Sequence, residues 1–475
     1  MKFLILINAA PNYKYYFFVL AKELQTRGHD VTFAVDSRRS TFLEPINDLD
    51  NSSNTFFFDD YLKKHFNKDI TLPKISNEYW GDVFYSDFDR FLTHSYNLDK
   101  EKNYWLNIKN NLDNFFHKII SENNIDYILY ENISNSFSYS AYKIGMNLNC
   151  HYIGLMGSRI PNHFEIQCSV IERELDRIDY LSSLPLTEAE ISWYNEYKKN
   201  IASIQPDYMR MNGLDNVNLT RLLKAEKFRK FFNLLFISHK YEHFYDYMFG
   251  DPRKTAIKAI RVNMQRKLNS KFALRAYTDN NELKSNLLKE DYYVYPIHFH
   301  PESSTSVLAP EYTNEYSNII NIANNLPYGT YLYVKDHKSA IGTQDRSFYR
   351  KISSLPNVRL IHPEYNIKHL IRKSIGVITI NSTAGYEALL LDKPVYIFGR
   401  VFYERFPNVH KLSTFKDIRN IEDKKFEVSN MMEYFVAYKR YCYEGVVNIL
   451  AAKSNPEPLY FKNIVDKIIL HINNH

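Results

Sequence analysis

The segment ITINSTAGYEALLLDKPVYIFG, residues 378–399, sets one acid and several hydroxyl and amide side chains in an otherwise apolar stretch. Asn381, Ser382 and Thr383 crowd the turn after an apolar run, and Glu387 lies within the helix-like stretch beyond it. Two more apolar runs in the same half end in the same way. YPIHFHPESSTSV carries His298, His300, Pro301, Glu302, Ser303 and Ser304, and YLYVKDHKSAIG carries Lys335, Asp336, His337 and Lys338. Three strand ends bearing imidazoles, ammonium groups and hydroxyls form one basic, hydrogen-bonding wall. A monophosphate or diphosphate requires such a wall, with cationic donors beside the N–H groups of a helix start. Turns favour Ser, Asn and Lys by themselves, so the weight rests on the three clusters together.

Glu387 is spaced i+4 from Thr383, so the two side chains share a helix face. A carboxylate there can accept hydrogen bonds from two vicinal ribose hydroxyls while the helix start faces phosphate. It is not the acid of a capping box, which needs Ser or Thr where Ala384 stands. An acid near a helix start is also favoured by the helix dipole, and the two explanations stand side by side. In the first half, IDYILYEN brings Glu131 to a strand's carboxyl end, where a carboxylate can act as general base or as nucleophile. A plain acid beside a helix start explains it equally well. Arg159 and His163 follow the next strand, and Asn8 and Asn12 occupy the first β-α loop, NAAPNYKYY; these four read as the acceptor side. That loop lacks G-x-G-x-x-G, so no dinucleotide cofactor is expected. No pair of histidines falls on one helix face, and no metal site or other cofactor is expected.

The elements that must hold these residues alternate strand and helix. KFLILI, residues 2–7, reads as a buried strand rather than a signal peptide, because its short apolar run leads into a helical pattern at 14–27 and then a strand at 31–35. Residues 56–120 read as a helical insertion. The pattern resumes with strand 125–130, helix 135–147 and strand 151–155. From Tyr292 a second α/β series runs through strands at 331–335, 358–361, 376–380 and 395–398, with helices at 311–325, 345–354, 366–373 and 383–391, and ends in helices near 430–452 and 460–473. The expected fold is therefore α/β with two Rossmann-like domains, the GT-B arrangement, in which a nucleotide-sugar lies in a cleft beyond the strands' carboxyl ends. Domain boundaries are placed at 1–185 for the N-terminal Rossmann-like domain, 186–290 for a helical linker, 291–430 for the nucleotide-sugar-binding domain and 431–475 for C-terminal helices.

The 475 residues suffice for two or three cores, and 45% apolar content excludes a disordered chain. Net charge is +6, mildly basic, which suits anionic small partners and gives no support for nucleic acid. Three cysteines without a C-x-x-C pair point away from disulfides and toward a reducing, cytoplasmic setting. No apolar run is long enough to span a membrane. Residues 253–275 hold Arg253, Lys254, Lys258, Arg261, Arg266, Lys267, Lys271 and Arg275 around the stripe Ile257, Ile260, Met264 and Leu268. Such a helix fits an anionic membrane surface, which would place the protein peripherally at the inner face of the inner membrane; an ordinary solvated helix is the alternative.

Residues 292–412, from the FHPESSTSV segment through YLYVKDHKSAIG to ITINSTAGYEALLLDKPVYIFGRVFYERFPNV, resemble the bacterial capsule polysaccharide biosynthesis family, GT-B proteins related to capsule Kdo transferases. GHDVTFAV, IDYILYEN and GLMGSRIPNHF resemble its first half more weakly. The resemblance implies metal-independent sugar transfer from a nucleotide-sugar, with a CMP-activated acidic sugar such as Kdo as leading expectation, to a growing glycan or lipid-linked acceptor of a capsule or O-antigen. It implies that His337 contacts donor phosphate or carboxylate, that Ser382 and Thr383 bind phosphate and that Glu387 binds ribose. Glu131 and His337 are the catalytic candidates. His300, Glu302, Lys335, Lys338, Asn381, Ser382, Thr383 and Glu387 are the donor-binding set. The family usually has His-Pro where His337-Lys338 stands here. Two other classes compete: a CDP-polyol phosphotransferase of teichoic-acid type, and a non-catalytic glycan-binding or export protein.

Overall fold

A computed structural model describes residues 1–10, 12–66, 104–207, 228–229, 232–237, 252–287, 289–300, 302–423, 426–428, 430–449 and 458–474. Contacts divide the chain into two compact units. Residues 1–170, 206–260 and 442–475 form the first; residues 171–205 and 261–441 form the second. Strands β1 (Lys2–Ile7), β2 (Asp30–Val35), β3 (Thr55–Phe57), β4 (Tyr127–Glu131), β5 (His151–Gly157) and β6 (His163–Gln167) lie in the first. Strands β7 (Asp291–Pro296), β8 (Thr330–Lys335), β9 (Val358–Ile361), β10 (Gly376–Thr379), β11 (Val395–Ile397) and β12 (Val409–Lys411) lie in the second. A short β13 (Tyr443–Glu444) returns to the first.

The α/β class with two parallel, Rossmann-like sheets is as expected. In the first unit the order is β13-β6-β5-β4-β1-β2-β3, parallel from β5 to β3, with β6 and β13 antiparallel. Phe3 to Ile7 are wholly buried, as a parallel strand covered on both faces requires. The C-terminal helix Pro458–Asn474 packs on helix Tyr13–Thr26, with Phe461 against Tyr16 and Asp466 paired to Arg27 at 2.6 Å. His471 of that helix also lies 3.1 Å from the Cys168 sulfur beyond β6.

In the second unit the order is β12-β11-β10-β7-β8-β9, all parallel. Renumbered from its own first strand this is 3-2-1-4-5-6, the doubly wound order, and its direction reverses between β7 and β10. The three polar strand ends read from sequence thus belong to three adjacent central strands. The first sheet has the same reversal between β1 and β4.

Several differences from the sequence reading have local causes. Residues 56–120 were expected to be helical. The described part begins with β3, three residues too short to carry a periodicity, then helices Phe58–His65 and Tyr104–Asn123; residues 67–103 lie outside the described residues. The helix expected near 430–452 stops at Tyr441, where the chain turns into β13. Helices Glu172–Ser182 and Glu188–Asn200 group with the second unit because helix Met431–Tyr441 holds them: Arg440 donates to both Glu190 oxygens at 2.6 and 2.7 Å. Arg405 likewise reaches Asp176 and Asp179 at 2.9 and 2.6 Å.

Candidate functional site

The reversal between β7 and β10 is tied together by a buried carboxylate. Glu315 begins helix Glu315–Asn325, capped by Asn314, which accepts from the Ser317 N–H at 3.1 Å. It accepts hydrogen bonds from the Tyr295 hydroxyl (2.6 Å), the His298 backbone N–H (2.9 Å), His298 Nδ1 (3.0 Å) and His300 Nε2 (3.2 Å). Burial pushes this carboxyl up, but the two imidazoles, His298 foremost, overcome it and hold the group well below the usual carboxylate range. The chain of contacts then crosses to β10. The Asn381 amide donates to His298 Nε2 at 3.4 Å, Thr379 Oγ1 lies 3.3 Å from the same nitrogen, and the Ser382 amide donates to Thr379 Oγ1 at 3.0 Å. With Nε2 accepting from the amide, the imidazole proton sits on Nδ1, toward Glu315.

His298 and His300 are therefore internal struts. His300 is 6% exposed, and its second nitrogen lies 3.3 Å from the Thr305 hydroxyl, so the ring expected to face a donor braces its own loop instead. Glu302 stands exposed on the loop surface and accepts from Ser304 Oγ at 3.4 Å. Lys335 is turned inward as well: its ammonium donates to the carbonyls of Asp336 (3.0 Å) and Pro363 (2.6 Å), and burial lowers its pKa to about 8. Lys338 is half-exposed and pairs with Glu364 at 3.3 Å.

His337 differs from these. Its Nδ1 accepts from the Ser339 amide at 3.1 Å, capping a short 3-10 turn, so the ring proton resides on Nε2. The ring stacks on Phe299, centroids 5.6 Å apart. Burial first, and then the Lys335 charge, lowers its pKa to about 4. At neutral pH it is an uncharged N–H donor rather than a cation. Beneath it Asp336 accepts from Tyr277 (2.6 Å), Tyr349 (3.3 Å) and the His337 amide (2.7 Å), which fixes the turn.

Ser382 is the N-cap of helix Thr383–Leu390, its Oγ accepting from the Ala384 N–H at 3.2 Å. Thr383 opens the helix, half-exposed. Asn381 donates through Nδ2 to the carbonyls of Ser304 and Arg400, while its buried Oδ1 has no hydrogen-bond partner among the described residues. Gly385 is required by the wall behind the helix start: a Cβ there would fall 2.3 Å from the hydroxyl of Tyr403, a fully buried ring that donates to the Ser382 carbonyl. Glu387, one turn on, has an oxygen 3.3 Å from Lys368 Nζ. That lysine is buried and also donates to the carbonyls of Ile201 and Ile204, which binds the 171–205 segment to this helix pair.

In the first unit Glu131 ends β4 half-buried, both oxygens accepting: one from Tyr13, the other from Ser134 at 2.7 Å. Asn8, at the end of β1, donates to Tyr130 and accepts from the Ala10 amide at 2.9 Å. Asn12 takes a left-handed conformation, φ 68°, as the residue before helix Tyr13–Thr26. Asn8 and Asn12 line an open pocket with Lys14, Ser40 and Glu44. Arg159 lies in the β5–β6 turn and His163 begins β6, its Nδ1 donating to the Pro161 carbonyl at 2.8 Å. The β5–β6 hairpin turns at the same edge of the sheet as the ends of β1 and β4. The pocket residues Lys14 and Ser40, and the Glu315 strut, carried no sequence signal: Glu315 reads as an ordinary first-turn acid of a surface helix, and Lys14 as one of many lysines. Among the described residues no group of three or more His, Cys, Asp or Glu side chains is arranged to hold a metal ion.

Residues 186–440 match the family model described as capsule polysaccharide biosynthesis protein, and the chain belongs to that family. No curated protein matches it significantly. Among solved structures it is similar to two Thermosulfurimonas dismutans KpsC structures. The β-Kdo 2,4 transferase is 14% identical at TM-score 0.37, covering 66% of this chain and 78% of that one. The β-Kdo 2,7 transferase is 11% identical at TM-score 0.33, covering 68% and 78%. A UDP-GlcNAc 2-epimerase from Methanocaldococcus jannaschii is 10% identical at TM-score 0.26, covering 99% and 100%.

Proposed function

We propose that the chain is a metal-independent GT-B glycosyltransferase that moves a sugar from a nucleotide-sugar onto a growing bacterial surface polysaccharide, working in the cytoplasm. The observation that carries this reading is the cluster at the β7/β10 reversal, where doubly wound sheets bind nucleotides. There His337 offers a neutral N–H, the Ser382–Thr383 helix start offers backbone N–H groups to phosphate, and Glu387 offers a carboxylate to ribose hydroxyls. Family membership supports the polysaccharide context. A CMP-activated acidic sugar is the proposed donor. Glu131, oriented by Tyr13 and Ser134, is the proposed catalytic carboxylate of the first unit.

The test is a thermal-shift panel of CMP, CDP, UDP and GDP on the intact protein, followed by titration of the best ligand into His337→Ala and Glu387→Ala. A cytidine nucleotide raises the melting temperature, because a ligand of the native state stabilises it, and both variants lose affinity while keeping their fold. No shift with any nucleotide, or unchanged affinity in both variants, sinks the reading.

A further inference from the structure

The helix Pro252–Ala276 is built the wrong way round for a surface helix of a water-soluble protein. Its inward face, from Arg261 on, sets polar and small side chains beside Phe272, which packs on the core. Arg266 donates to the carbonyls of Ile341 (3.0 Å) and Ser339, Asn269 donates to those of Gln344 (3.1 Å) and Gly342 (3.4 Å), and Ala273 is fully buried. The approach is so close that Gly342, at φ 74°, has the Arg266 carbonyl 2.3 Å from where a Cβ would sit. The opposite face is aliphatic. Met264 is 64% exposed, Leu268 52% and Leu274 55%, and Ile257 (61%) and Ile260 (49%) carry the same stripe toward the helix start. Exposed Arg261, Lys267, Lys271 and Arg275 lie among them on that face. The helix contains eight basic residues and not one acid.

A contiguous exposed aliphatic stripe marks a surface that is covered in use. We infer that this outward face rests on an anionic lipid surface, Met264, Leu268 and their neighbours entering the acyl boundary while the lysine and arginine head groups meet lipid phosphates. Charge complementarity selects this occupant. Basic side chains beside an apolar stripe extend their alkyl stems along it and place their charges at the phosphate level. A second copy of the chain would set the same cations, Arg261, Lys267, Lys271 and Arg275, against each other. Single-stranded nucleic acid is gripped through aromatic stacking, and this face has aliphatic side chains in that place. The inference does not depend on the transferase reading, since lipid binding is measured without any turnover.

The experiment is co-sedimentation of the full chain with vesicles of phosphatidylcholine, with and without phosphatidylglycerol. The protein sediments only with the anionic vesicles, and added salt releases it. Lys267→Ala/Lys271→Ala/Arg275→Ala weakens association on the order of a hundredfold, from about 1 kcal/mol per basic residue near the surface. Met264→Ser/Leu268→Ser weakens it about tenfold or more while leaving the salt dependence in place. Both variants alter exposed side chains and keep the melting temperature of the parent. Equal binding to neutral vesicles, no binding to either, or vesicle-free self-association that Met264→Ser/Leu268→Ser abolishes would each overturn the inference; the last would assign the face to a second copy.

Discussion

The two sheets reverse direction in the same way, yet they dress the reversal differently. At the end of β4 the first unit keeps its carboxylate, Glu131, near the surface, steered by the hydroxyls of Tyr13 and Ser134. The second buries its carboxylate, Glu315, beneath the β7 loop, and spends two imidazoles to satisfy it. What the second unit sets at its strand ends, beside the Glu387 carboxylate, is a pair of donors: the neutral His337 ring and the start of helix Thr383–Leu390. An outward carboxylate suits proton abstraction or nucleophilic attack, whereas outward donors suit an anionic ligand. The same topology thus leaves a half-buried carboxylate at the end of β4 in one unit and hydrogen-bond donors beside β7 and β10 in the other.

The contrast breaks most readily at Glu131. Glu131→Gln is expected to lower turnover roughly 10²–10⁴-fold with little change in nucleotide affinity or melting temperature, read by steady-state kinetics with a CMP-sugar donor. Equal losses in affinity and turnover would move Glu131 from chemistry to binding. Glu315→Ala should do the reverse. It strands two imidazoles and a tyrosine hydroxyl in the interior without their acceptor, and a buried polar group left unsatisfied costs about 1–3 kcal/mol, measurable by urea unfolding. If the two substitutions proved equally destabilising, the carboxylates would not differ in kind.

Smaller effects sharpen the second unit. His337→Ala removes one donor to a charged ligand, about 1.5–3 kcal/mol of nucleotide binding by calorimetric titration. Gly385→Ala forces a methyl against the buried Tyr403 ring and should destabilise by about 1–3 kcal/mol without touching the ligand face. Acid should separate the strut from the donor. His337 titrates near 4 in the fold against an ordinary 6.5, so between these values the unfolded chain binds more protons and stability falls as pH drops. Glu315, held below its ordinary 4.5, contributes fully above that value and loses its contribution below it. His337→Ala should flatten the upper window and Glu315→Gln the lower; the same flattening from both would mean one coupled group.

Much of this was legible beforehand, for local reasons. Helix Thr383–Leu390 and the placement of Glu131 at a strand end follow from apolar periodicity, whereas Ser382, read as a phosphate ligand, also proves to be the helix cap. Strand β3 was missed because three residues show no period. The inward turn of His300 and Lys335 was missed because their partners, Glu315 and Pro363, lie 15 and 28 residues away along the chain.

By itself, then, the chain's order of residues determined the alternation of strand and helix, the polar character of three strand ends and the basic stripe of 253–275, because each depends on neighbours within one or two turns. Tertiary structure alone decided that β10 lies beside β7, that His337 keeps an N–H clear of the interior while His298 and His300 brace a buried acid, that Glu387 shares Lys368 with the 171–205 segment, and that the aliphatic stripe of the basic helix faces outward. Those outcomes depend on pairing between residues far apart in the chain, where burial and hydrogen-bond satisfaction of the whole core choose among side chains that look alike in sequence.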